Sequence, residues 1–117
     1  MSLVSRHLEA SGLPTVVLGS ARDIVEECGV ARFLFTDFPL GNPCGRPGDA
    51  PMQRAIVGMA LDLLEAARAP RTTVQTPFVW SADDAWRASY ARVDPEAAEA
   101  LRRAGEERRR QQAAARA

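Results

Sequence analysis

Residues 37 to 51 contain four prolines (39, 43, 47 and 51) and three glycines (41, 45 and 48). Proline lacks an N–H and holds φ near one value, so this density excludes both a helix and a central strand. The chain must cross this stretch as loop. A loop this long is unusual in a chain of 117 residues, and such loops commonly carry function.

The flanking segments set the fold class. Ser2 to Ser11 read as a helix with Leu3, Val4 and Leu8 on one face. Gly12 stops it and Pro14 prevents its resumption. Thr15-Val16-Val17-Leu18 is a continuous, β-branched apolar run, the pattern of a strand buried on both faces of a parallel sheet. Ser20 and Asp23 have the spacing of a capping box at the start of a helix from Ala21 to Glu27. Ile24, Val25 and Cys28 form its inward side, and Gly29 ends it. Ala31 to Thr36 is a second strand centred on Phe33, Leu34 and Phe35. Strand, helix and strand in this order make a βαβ unit, whose crossover is expected to be right-handed.

Beyond the loop, Asp49 is a candidate N-cap with Pro51 in the first helical turn. Met52 to Ala69 carries Ile56, Met59, Ala60, Leu63 and Leu64 at three- and four-residue steps, one apolar helical face, and Pro70 ends it. Residues 71 to 82 read as extended, and Asp83 to Tyr90 as a short helix. Asp94-Pro95 opens a last helix rich in Ala, Arg and Glu. The expected fold is α/β: a small Rossmann-like or flavodoxin-like three-layer fragment with a short parallel sheet and a helical C-terminal tail. Its segments are 1–70 (α/β), 71–93 (aromatic extended arm and short helix) and 94–117 (Arg/Ala-rich helix). Only two strands are legible, and two parallel strands make no independently stable sheet. The sheet is therefore expected to be completed by oligomerisation.

Charge and composition exclude several classes. Acidic and basic residues balance at 15 each, and every basic residue is Arg. Without lysine there is no catalytic amine or Schiff base. Without a basic excess, nucleic acid is not an expected partner. Arg102, Arg103, Arg108, Arg109 and Arg110 cluster, but Glu106 and Glu107 interrupt them, as on a solvated helix face. Two cysteines are too few for a disulfide framework. No apolar run reaches membrane-spanning length, and the first residues lack a signal-peptide pattern. The expectation is a cytoplasmic protein with no membrane partner and with reduced thiols. His7 is the only histidine, and neither GxGxxG nor the Walker loop occurs, so no metal and no cofactor are expected.

The candidate site follows from the predicted topology. Open α/β sheets bind ligands beyond the carboxyl ends of their strands. Gly19 and Ser20 follow the first predicted strand there; Asp37, Pro39, Gly41, Asn42, Cys44 and Arg46 follow the second. Gly41 and Gly45 allow backbone N–H groups close to a ligand. Cys44 is the candidate reactive thiol, with Arg46 near enough in sequence to favour its thiolate. Each has an ordinary alternative: a proline-rich turn around an inert cysteine, and helix capping by Ser20. Cys28 reads as core, and His7 as a solvated helix residue. Phe78, Trp80, Trp86 and Tyr90 either pack on a neighbouring subunit or close the chain's own core.

Two runs carry a family resemblance. Glu9-Ala10-Ser11-Gly12-Leu13-Pro14 leads into the first strand, and Arg32-Phe33 leads into Phe38-Pro39-Leu40-Gly41-Asn42-Pro43. Together, over roughly residues 3 to 69, they resemble the C-terminal part of the glycine, sarcosine, betaine and D-proline reductase selenoprotein B family. In that family Glu-x-x-Gly-[Ile/Leu]-Pro precedes a strand, and a Pro-Leu-Gly-Asn-Pro loop precedes an amphipathic helix. Its selenocysteine or cysteine redox motif lies just before the first helix, at or before Met1 here. The resemblance implies reductive cleavage of a small substrate, with Asn42 and loop amides orienting it. Three accounts stay open. A separate polypeptide supplies the cysteine or selenocysteine, in a hetero-oligomer, a homo-oligomer being the alternative assembly. Cys44 has taken the redox role. Or the chain is a non-catalytic module that binds and stabilises a partner.

Overall fold

The computed structural model describes residues 1–90 and 92–116. Ala91, in the segment 71–93, and Ala117, at the end of the tail, lie outside the described residues. The chain divides into two compact units, the first from Met1 to Asp84 and the second from Ala85 onward.

In the first unit the order is α1 (Ser2–Ala10), β1 (Val17–Gly19), α2 (Arg22–Cys28), β2 (Arg32–Phe35), α3 (Ala50–Ala66) and β3 (Thr72–Gln75). The strands form one parallel sheet in the order β1-β2-β3. Val17 pairs with Phe33 and Leu18 with Leu34; Arg32 pairs with Thr72 and Leu34 with Val74. The mixed α/β class and the short parallel sheet agree with expectation. The third strand does not: the segment after Pro70 joins the sheet, which removes the argument that two strands need outside completion.

β2 is central because it is apolar on both sides. Leu34 faces α3 and is buried with Phe38, Ile56, Ala60 and Leu63. Phe33 faces the other way and is buried with Val25 of α2 and Val30. Val16 and Leu18 follow Leu34, and Val17 follows Phe33, as alternation along a strand requires. The sheet thus lies between α2 on one face and α3 on the other.

This arrangement has an uncommon handedness. The chain steps from β1 to β2 to β3 in one direction, yet its two connecting helices lie on opposite faces. The two crossovers therefore have opposite hands. Val17 faces α2, and the Gly19 carbonyl, in phase with it, accepts from Thr36 N on the β2 side. For L residues this places β2 to the right of β1 when seen from α2, so β1–α2–β2 is right-handed, as expected. The β2–α3–β3 crossover, which contains the proline-rich loop, is the left-handed one.

Local signals differ in how they hold. Asp49 is the N-cap of α3: its side chain accepts from Met52 N at 3.1 Å, with proline in the first turn. Ser20 is not a cap. The N-cap of α2 is Ala21, with no side-chain cap bond, because the helix starts one residue later than the spacing implies. Of the apolar face expected on α1, Leu3 is 72% and Val4 53% exposed while Leu8 is half-buried, and Ser5 is the buried residue. Ile24, expected inward on α2, is 63% exposed, and Val25 alone of that helix is buried. Cys28 is only half-buried. Phe78 and Trp80 pack on the Leu34 cluster, with Trp80 edge-on to Phe38 at 5.3 Å. That half of the aromatic group closes the chain's own core.

The second unit contains α4 (Ala85–Ser89) and α5 (Pro95–Arg116). Trp86 and Tyr90 stack edge-on, and Arg87 lies over Trp86. α5 has no buried residue; its side chains pair along its own surface, as Arg103 does with Glu99. No described helix is long and apolar enough to cross a membrane.

Candidate functional site

Parallel pairing brings the carboxyl ends of β1, β2 and β3 to one edge. After β1 the chain leaves toward the α2 face, and after β2 toward the α3 face. Neighbouring strand ends that depart to opposite faces are what opens a binding crevice in an α/β sheet. Here this happens between β1 and β2 without any reversal of strand order. Gly19 and Ser20 stand on one side of that divide, and Asp37 and the loop on the other. Both groups lie at the carboxyl edge of the sheet.

The floor of this edge is polar in a way the sequence analysis missed. Thr36 and Thr76 directly follow β2 and β3, are 0% and 3% exposed, and meet at 3.4 Å through their hydroxyls. Their amides prolong the sheet, Thr36 N donating to the Gly19 carbonyl and Thr76 N to the Phe35 carbonyl. The signal was a threonine closing each β-branched or aromatic run. Beside them the Ser20 hydroxyl is enclosed and has no hydrogen-bond partner among the described residues. A buried polar group without a partner is uncommon in folded proteins.

The loop itself is a chain of turns. Asn42 N donates to the Pro39 carbonyl, Gly45 N to Asn42, and Asp49 N to Arg46. Gly45 is buried with φ +113°, and a Cβ there would lie 3.3 Å from Met52 and Gln53 side-chain carbons. Only glycine combines that backbone with so close an approach to α3. Arg46 then ties the loop down. Its guanidinium donates to Asp49 at 2.9 Å and to the Trp80 carbonyl at 3.3 Å, and its own carbonyl accepts from the Gln53 amide at 2.6 Å. Asp49 has its carboxyl held below the ordinary aspartate value, first by the Met52 amide and then by Arg46.

These bonds sort the expected site residues. Arg46 is engaged in holding the loop. Asn42 directs its side-chain amide at the Pro39 carbonyl, 3.4 Å away, so it helps to close the turn. Pro39 is half-buried; Gly41 is exposed with open space around it. Asp37 is half-buried at the end of β2. Cys44 is a free, exposed thiol at the outer surface of the loop.

The opposite, amino edge holds a second polar cluster. One oxygen of Glu9 accepts from the Thr15 amide, from the Thr15 hydroxyl at 3.0 Å and from Arg32 at 2.8 Å. The Thr15 hydroxyl also meets buried Ser5 at 2.6 Å. Desolvation raises the Glu9 pKa, but these bonds outweigh it and the carboxyl lies below the ordinary glutamate value. Glu9 belongs to the first family-like run, and through Thr15 and Arg32 it ties α1 to the segment before β1 and to the start of β2.

Comparison with known proteins adds one relation. Over 80 residues, 68% of its length, the chain is 29% identical to the D-proline reductase subunit gamma of Acetoanaerobium sticklandii. The match spans 33% of that relative's length. No family model and no solved structure matches the chain.

Proposed function

We propose that the chain is a subunit of a proline reductase-type enzyme of the selenoprotein B-like kind, and that a partner chain supplies the redox cysteine or selenocysteine. The observation that carries this reading is the 80-residue similarity to D-proline reductase subunit gamma. The geometry supports it through the carboxyl edge, where Gly19, Ser20, Asp37 and the loop from Pro39 to Arg46 share one end of the sheet. In this reading the substrate is a small molecule of the D-proline kind, held by the backbone amides near Gly41 at the edge that Gly19, Ser20 and Asp37 share. The partner's thiol or selenol and a second thiol give two electrons and two protons to the cleaved substrate bond, ending as a disulfide or selenenyl sulfide that the external dithiol reduces again. Pro39, Asn42 and Arg46 shape and brace the loop.

The test is reconstitution with the α/β chain, carrying a cysteine or selenocysteine motif, that a neighbouring gene is expected to encode. The mixture should consume a dithiol in a D-proline-dependent way, and neither chain alone should do so. Cys44→Ser in the mixture should keep full activity; its loss would move the redox role to Cys44. A chain that binds this partner without supporting turnover would instead be an interaction module, the second reading, which the outward Leu3, Val4 and Ile24 favour.

A further inference from the structure

At the amino edge of the sheet, on the α2 face, lies a pocket of about 180 Å³ lined by Glu26, Val30, Phe33, Arg71 and Thr73. It is far along the strands from the loop: Arg71 and Val30 precede β3 and β2, whereas the loop follows β2. Arg71 is the described non-glycine residue with positive φ, at +59°. An L residue adopts this conformation only against a steric cost, so the surrounding turn must impose it. The result is that the Arg71 side chain lies along the end of α2. A Cβ on Gly29 would be 2.5 Å from Arg71 Nη2 and 3.2 Å from Cζ, so Gly29 makes the room for the guanidinium. Among the described residues, Arg71 donates no hydrogen bond and joins no ion pair, unlike Arg32 and Arg46. A planar guanidinium with free donors, over an apolar floor, is suited to a carboxylate.

We propose that this pocket binds a small monocarboxylate with an apolar body. The carboxylate pairs with Arg71 and accepts from the Thr73 hydroxyl, and the body rests on Val30 and Phe33. The volume sets the size, since a cavity of about 150 Å³ holds benzene. Glu26 sets the charge: its oxygen is 3.0 Å from Arg22, and its carboxylate disfavours a second negative group on the ligand. The pocket therefore selects against phosphate and dicarboxylates. Phe33 also links the two edges, because its ring lies 3.1 Å from where a Cβ on Gly19 would stand.

The test is titration of the full chain with benzoate, followed by amide NMR shifts, with benzamide and inorganic phosphate as the comparison probes. Benzoate should shift the Gly29, Val30, Arg71 and Thr73 amides in a saturable way; benzamide and phosphate should bind at least tenfold more weakly. Arg71→Gln should weaken benzoate at least tenfold, and Thr73→Val by a smaller factor. Arg71→Lys, which keeps the charge and loses the planar fork, guards against a folding artefact and should fall between wild type and Arg71→Gln. Equal binding of phosphate, unchanged binding by the variants, or shifts confined to other amides would overturn the proposal.

Discussion

One oxygen of Glu9 holds three donors from two other segments, Thr15 and Arg32. Removing such an acceptor leaves partly buried donors unmatched. Glu9→Ala should cost about 1–3 kcal/mol, read in a urea melt at neutral pH. The pH dependence follows from the lowered pKa. A carboxyl depressed on folding stabilises fully above its unfolded value, about 4.5, and that stability is lost as pH falls through the lower folded value. Wild type should thus lose thermal stability on acidification below about pH 4.5, and Glu9→Ala should lose less. At Gly45 the limit is steric: Ala there combines φ +113° with contacts of 3.3 Å to Met52 and Gln53. Gly45→Ala should destabilise by about 1–3 kcal/mol and disturb the loop first, measurable as faster amide exchange at Asn42 and Asp49.

Among the elements, those whose burial is two-sided or whose cap is a side chain were readable. β2 shows as Phe-Leu-Phe because both its faces are covered, and α3 shows through its Asp49 cap and its apolar stripe. Asp49→Ala should lower the midpoint of a thermal melt, with α3 fraying from its start. β3 was not readable as a strand of the sheet. It lies at an edge, so Thr72-Thr73-Val74-Gln75 needs no continuous apolar run. Its two hydroxyl-bearing residues conceal a role that pairing with β2 reveals. Nor does periodicity say which way a helix faces, and so α1 turns Ser5 inward and leaves Leu3 and Val4 outside. The candidate edge was legible as a place, from strand order and loop composition. The work of its residues was not, because Arg46 and Asn42 meet partners distant in sequence or folded back in a turn. A chain ending at Asp84 should keep a cooperative melt, while one ending at Pro70, without β3, should lose it; near-UV circular dichroism reads both.

For the molecule as a whole, the two family-like runs fall at opposite edges of one sheet. The Glu9 run braces the amino edge; the Pro-Leu-Gly-Asn-Pro run shapes the carboxyl edge. A left-handed second crossover carries the loop to the α3 face while α2 stays on the other, and the divide between β1 and β2 follows from that. The first unit leaves Leu3, Val4, Ile24, Val57 and Leu61 largely exposed, more outward apolar residues than the sequence pattern implied. The central claim is that this edge works with a redox group from another chain. Its most direct measurement is D-proline-dependent dithiol oxidation by the chain purified from its host, with every co-purifying chain identified. The account predicts activity that tracks a cysteine- or selenocysteine-bearing partner and vanishes when that partner is removed. A monomer with no partner, or full activity in the chain alone, would contradict it.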